Sequence, residues 1–294
     1  MRIGVVDVGS NTARLLVADV YDSMPRTVRE TRAPIGLGDE IERHGAISDA
    51  KINEVAKAVA DAVVTARAVG VDDITVLVTS PGRQSANGEE LARAIVGAAG
   101  VRARLLSAAE EASLAYAGAL ATAPIAGSNI AVCDVGGGSA QIAVGLPFGT
   151  PTWIRSIDIG SLRLTRRHVE SDPPRRRELL AARSELDELL AGITPPTAVA
   201  ALATGGTARS LQKLVGGTLG RAELAEALEI VSRRKAKEIE RTYGVPRWRA
   251  RLLPAGATIL AAIQDRLGVE LTVARGGLRE GAALELAEHL RVAA

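Results

Sequence analysis

Aromatic side chains make up only 2% of this 294-residue chain, which leaves no stacking platform for single-stranded nucleic acid and no aromatic sugar site. Cysteine occurs once, at Cys133. That excludes an internal disulfide framework and fits a reducing, cytoplasmic setting. No apolar run reaches the length of a bilayer span, because stretches such as ADAVVTARAVGV are interrupted by Arg or Asp. No membrane partner is expected, and the opening MRIGVV enters a strand-like pattern with no sign of an export signal. His44, His168 and His289 stand apart without ligand spacing or a Cys partner, so no metal is assigned to them. The formal net charge is only +2, and DPPRRRELLAAR reads as a helix start with a solvated basic face. No nucleic-acid partner is expected. Neither a Walker A pattern nor a full G-x-G-x-x-G fingerprint is present, which argues against P-loop NTPases and Rossmann dehydrogenases.

What the chain does have is length and a repeat. Its 294 residues, 47% of them hydrophobic, suffice for two compact units with a core each. IGVVDVGSNTARLLV from Ile3 runs in step with IAVCDVGGGSAQIAV from Ile130, with Asp7 on Asp134, Gly9 on Gly136 and Val17 on Val144. This pattern predicts two copies of one β-hairpin, each opening half of the chain. Strands are predicted at DITVLVTS, VRARLLS, TWIRSIDIG, AVAALATGG and ELTVARGG. Helices are predicted at AKINEVAKAVADAVVTARAVG, at about 88–99 and 109–120, and around 175–190, 222–241, 255–267 and from 278. ATAPIAGSN, rich in turn formers, marks the boundary. The expected division is 1–124, completed by the helix 278–294, and 125–277. Strands alternating with helices make the class α/β, with mixed sheets because each half starts on a hairpin.

The hairpin turns suit anions. Small residues let successive backbone N–H groups point into one concavity. Gly9, Ser10, Asn11 and Thr12 form one such loop, and Gly136, Gly137, Gly138 and Ser139 the other. Facing each other across a cleft, they would grip a chain of phosphates. Asp7 and Asp134, just before the turns, are placed to hold Mg²⁺ directly or through water. A third loop, Gly205, Gly206 and Thr207 in LATGGTARSL, lies between a strand and a helix, where helix N-terminal N–H groups can meet an anion.

These segments resemble the sugar kinase, heat-shock ATPase and actin superfamily, and in detail its exopolyphosphatase and guanosine pentaphosphate phosphohydrolase (Ppx/GppA) family. DVGSNTARLLVADV and DVGGGSAQ resemble the two phosphate loops, TSPGRQSANG the Thr-x-x-x-Arg segment, and LSAAEEASLAYAGAL the catalytic-Glu segment. SIDIGSLRLT resembles the strand and helix that follow, ATGGT the third loop, and LPAGATIL and GGLREGAAL the closing signatures. The resemblance covers nearly the whole chain, which ends where the short, two-lobed members end. It implies a duplicated actin-like (ribonuclease H-like) ATPase fold with an interlobe cleft. It also implies Mg²⁺-dependent hydrolysis of the terminal phosphoanhydride of inorganic polyphosphate by a Glu-activated water, releasing orthophosphate.

On that reading Glu111 activates the water, Arg83 grips the terminal phosphate, Asp134 is the metal carboxylate, and Asp7 supports the metal or its water. Glu110, about 100° away on the helix, suits a solvated face. Gln141 stands where the family usually has a second metal Glu, which removes a charge and weakens the site. Pro81 and Gly82 also depart from the residues common before that Arg. Guanosine pentaphosphate, giving the tetraphosphate, is the alternative substrate. A kinase of the same superfamily and a catalytically weak polyphosphate or alarmone sensor are the other classes, and a homodimer stays open.

Overall fold

The computed structural model describes residues 1–123, 125–147 and 149–293. Two compact units divide it: Met1–Pro124 with Gly276–Ala294, and Ile125–Arg275. The first unit runs β1 (Arg2–Val8), β2 (Thr12–Tyr21), β3 (Met24–Pro34), α1 (Leu37–His44), α2 (Asp49–Ala68), β4 (Asp73–Val78), α3 (Ser80–Gln84), α4 (Gly88–Ala99), β5 (Ala103–Leu105) and α5 (Ala108–Ala121). Its sheet has the order β3-β2-β1-β4-β5. The β1–β2–β3 ribbon is antiparallel, and β4 and β5 join in parallel.

The second unit runs β6 (Ile130–Val135), β7 (Ala140–Gly145), β8 (Trp153–Ile157), α6 (Ser161–His168), α7 (Arg176–Leu189), β9 (Ala200–Thr204), α8 (Gly205–Val215), α9 (Arg221–Arg233), α10 (Ala236–Tyr243), α11 (Arg247–Ala250), α12 (Leu253–Leu267) and β10 (Leu271–Val273). The last helix, α13 (Leu278–Ala293), belongs to the first unit. The second sheet, β10-β9-β6-β7-β8, repeats the first strand for strand, with hairpin, third antiparallel strand and two parallel strands in the same places. Each half of the chain therefore folds as a mixed α/β sheet, as the repeated hairpin predicts.

Strand alternation places the first unit's chemistry. Val6 and Val8 of β1 join the core with α2 and α4, whereas Ile3 and Val5 face α5 and α13. Asp7 shares their parity and so emerges on the α5/α13 side at the end of the strand. That side is closed by an unusually near approach of α5 and α13. A Cβ on Gly118 would collide with the Gly277 carbonyl, and one on Gly281 with the Leu114 carbonyl.

The short helices α1, α3 and α11 were not expected, and two longer elements also differ from expectation. The single helix predicted over 222–241 is two, α9 and α10, separated at Arg234 in extended conformation. The Lys235 N–H donates to Glu238 and the Ala236 N–H to Asp172, which starts a new helix without Gly or Pro. Strand β3 was not predicted; it is mostly exposed, with charges at Arg26, Arg29, Glu30 and Arg32, so it has no apolar alternation to read. Among the described residues, no helix is long and apolar enough to cross a membrane.

Candidate active site

In the first unit the β1–β2 turn is held rigidly. The Gly9 N–H donates to the Thr12 carbonyl at 3.1 Å, and the Asn11 carbonyl accepts from Ile35 and Gly36. Ser10 and Ser80 share a buried hydroxyl hydrogen bond of 3.0 Å, and the Thr79 hydroxyl donates to the Val8 carbonyl. Thus the β1–β2 turn and the segment leading to Arg83 form one hydrogen-bonded block.

Arg83, on α3, reaches two partners. Its Nη1 donates to the Leu106 carbonyl at 2.8 Å, and its Nη2 lies 2.7 Å from Oε2 of Glu111. Glu111 is buried, with 8% of its surface exposed, in the first turn of α5. The two residues assigned to catalysis are thus an ion pair, an arrangement that the sequence analysis did not foresee. Glu110 is exposed, as expected, but its carboxylate is occupied. It accepts the Ser107 N–H at 2.8 Å while the Ser107 hydroxyl accepts the Glu110 N–H, a reciprocal cap on α5. These hydrogen bonds, with Arg104 nearby, hold the Glu110 carboxyl below its ordinary range.

Asp7 is half-buried, and its Oδ1, which is shut off from solvent, has no hydrogen-bond partner. Burial pushes its carboxyl upward, against the pull of Arg14 and Arg279. Arg279, from the closing signature, received no role from the sequence. It is 6% exposed and pairs with Glu30 at 2.9 Å, while its Nη1 lacks a hydrogen-bond partner. Only its burial, invisible in the sequence, marks it out.

In the second unit Asp134 and Gln141 are direct cross-strand partners, so their side chains stand on one face. Gln141 is buried, and its Nε2 donates to the Ser139 hydroxyl at 2.9 Å. The turn Gly136–Gly138 packs on the start of α6. The Gly136 carbonyl accepts from Ser161 and the Gly137 carbonyl from Leu162 and Arg163. A Cβ on Gly160 would lie 2.5 Å from the Gly137 carbonyl carbon, so that close approach requires glycine there.

The third loop adjoins Asp134. Gly205 has φ +86°, and a Cβ there would sit 2.5 Å from Oδ1 of Asp134. The Thr207 hydroxyl donates to the Val135 carbonyl, fixing the start of α8 to β6. Arg249 lays its guanidinium against Gly206, with Nη1 2.6 Å from a Cβ position there. Nothing in the sequence distinguishes Arg249, which sits in VPRWRARLL with other arginines. Asp134, Gln141 and the third loop are therefore gathered in one unit, and Asp7, the first loop, Arg83 and Glu111 in the other.

Among the described residues no three His, Cys, Asp or Glu side chains converge. The oxygens of Asp7, Asp134 and Gln141 are hard donors, the class of ligand that Mg²⁺ takes.

The model of the Ppx/GppA phosphatase family matches residues 16–290. The chain belongs to the Ppx/GppA phosphatase family. Among curated relatives, exopolyphosphatase 1 of Mycobacterium leprae is 28% identical over 96% of this chain and 88% of its own. The guanosine-5'-triphosphate,3'-diphosphate pyrophosphatase of Vibrio cholerae is 24% identical over 97% of this chain and 59% of its own. A solved exopolyphosphatase from Cytophaga hutchinsonii has 21% identity and a TM-score of 0.86, covering 98% of both chains. Like other Ppx/GppA phosphatases, this chain is a hydrolase of phosphoanhydrides with a duplicated actin-like α/β fold.

Proposed function

We propose that the protein removes the terminal phosphate of inorganic polyphosphate and releases orthophosphate. The observation that carries this reading is the buried Arg83–Glu111 pair at 2.7 Å, set beside the first phosphate loop. Hydrolysis of a phosphoanhydride needs an aligned water, a base and concentrated positive charge on the transferring group. Arg83 has more donors than its two engaged nitrogens use, so it can bind a phosphate while staying anchored to the Leu106 carbonyl. When Arg83 turns to the terminal phosphate, it releases the Glu111 carboxylate. That carboxylate accepts a proton from water as the water oxygen attacks the terminal phosphorus. The bridging P–O bond breaks, and its electrons leave on the shortened chain.

Within the first unit the loop around Ser10, and within the second the loop around Ser139 and the N-terminus of α8, offer donors suited to non-bridging oxygens. Asp134 and Gln141 in the second unit are proposed as Mg²⁺ ligands, and Asp7 separately as a carboxylate of the first unit that could take the ion, which when bound would neutralise phosphate charge. Gln141 contributes an amide in place of a charge, so weak metal affinity is part of the proposal. Cys133 takes no part; it is buried, and its thiol is pushed up to about 12. A single buried thiol suits a reducing cytoplasm.

Polyphosphate is preferred because the similarity to the mycobacterial exopolyphosphatase spans nearly all of both chains, whereas the Vibrio pyrophosphatase is matched over 59% of its length. The test is phosphate release from short polyphosphate, long polyphosphate and guanosine pentaphosphate, with and without Mg²⁺. Metal-dependent release that Glu111→Gln abolishes is expected. Faster release from guanosine pentaphosphate would reverse the substrate order. Binding without release from any of the three would make the protein a sensor.

A further inference from the structure

A cavity of about 590 Å³ opens in the first unit beside the first residues of β4 and the loop before β5. The phosphate loop and Thr79 follow the opposite ends of these parallel strands, so the cavity is separate from the candidate active site. Its volume falls within the range of small-molecule sites, about 300–1,000 Å³. Arg67 at the end of α2, Arg102 before β5 and His289 in α13 line it. All three are exposed, and none has a side-chain hydrogen bond or ion pair among the described residues, so their donors are open to a ligand from solvent.

Two carboxylates, Asp73 and Glu285, share the lining with three arginines and the imidazole, so positive charge is in excess. Asp73 accepts the Ile74 N–H at 2.7 Å, and Glu285 is held by Arg104 at 2.5 Å. Two arginines with unused forks, backed by an imidazole, suit a phosphate group. Ile74, Val101 and Leu286 add apolar wall, and the volume far exceeds that of a bare phosphate. Both features ask for an anion with an organic body.

Arg104 connects this cavity to the catalytic helix. Its Nη1 pairs with Glu285 on α13, and its Nη2 lies 3.8 Å from Oε1 of Glu110. Glu110 caps α5 through Ser107, and the next residue is Glu111. An anion in the cavity competes with Glu285 and Glu110 for Arg104. As Arg104 turns to it, the cap beside Glu111 loses its cation.

We propose that the cavity is a regulatory site for a nucleotide-sized organic phosphate, held by Arg67, Arg102 and His289 and sensed at Glu111 through the positioning residue Arg104. The regulatory half rests on the proposed role of Glu111, and the binding half does not.

Calorimetry on the full chain with ADP, pyrophosphate and adenosine separates the parts. ADP is expected to bind, to lose at least tenfold in affinity in the double variant Arg67→Ser/Arg102→Ser, and to be unaffected by Arg83→Gln. Adenosine, without an anion, is expected not to bind, and pyrophosphate, without an organic body, to bind more weakly than ADP. Saturating ADP is expected to lower kcat on polyphosphate at least twofold in the wild type and not in the double variant, whose basal kcat is unchanged. Absence of ADP binding, ADP binding that survives the double substitution, or equal binding of adenosine overturns the site. Pyrophosphate binding as tight as ADP overturns the organic body, and bound ADP with unchanged kcat overturns the relay. A protein with no phosphohydrolase activity would defeat the proposed function while leaving the calorimetric result to stand or fall alone.

Discussion

Glu111 and Arg83 hold each other in a place where water is scarce, and replacing either has a different consequence. Glu111→Gln keeps an acceptor for Arg83 but cannot take a proton. Turnover is expected to fall about 10²–10⁴-fold with polyphosphate affinity retained, as phosphate release and binding measured side by side will show. Asp7 carries a pH signature. Burial raises its carboxyl in the folded state, so the native protein keeps a proton that the unfolded chain gives up. The associated stability is full below the ordinary carboxylate value and declines as pH rises through the folded value. At neutral pH the fold therefore lacks stability that this carboxyl lends it in acid. Asp7→Asn is expected to raise Tm at pH 7, to alter it little at pH 3, and to depress turnover; equal Tm changes at both pH values would contradict this. From the residues alone, Asp7 and the loops were legible through the repeat. Glu111 and Arg83 were legible only through the family resemblance, because nothing local in the sequence announces a pair between α3 and α5. Arg279 escaped altogether, since a buried arginine looks like any other until its neighbours are known.

Between elements, the α5/α13 crossing sets the position of Glu111. Glycines let the two backbones meet, and the capping box of Ser107 and Glu110 fixes where α5 begins. Gly118→Ala is expected to destabilise by about 1–3 kcal/mol or more, as overpacking does, and to slow turnover because the helix bearing Glu111 must move. Thermal melting and activity together test this. Ser107→Ala removes one half of the cap and is expected to cost about 1 kcal/mol. Helices with steady apolar periodicity and strands with buried runs were readable. The split between α9 and α10 was not, because a side chain from a distant segment, Asp172, starts the second helix. Strand β3 escaped because it is an edge strand whose pairing with β2 holds it in place with little core of its own; its charges blunt that edge.

At the scale of the whole chain, the duplicated hairpin revealed the duplicated sheet, since a strand, turn and strand in register cannot pack differently without reversing inside and outside. Each unit has its own core: one cluster gathers β6, β7, β9 and α12, and two others lie on either face of the first sheet. A fragment of residues 125–275 is expected to fold alone with a cooperative melt, whereas a chain ending at Arg275 is expected to lose the first unit, which then lacks α13 over Ile3, Val5 and Leu77. Circular dichroism on both fragments checks this. The return of α13 to the unit that contains β1 also has a mechanical meaning. Both ends of the chain are fastened in the first unit, so a force applied to them strips α13 from the first sheet before any load reaches the second. Under tension, residues 125–275 are the sheltered part of the molecule.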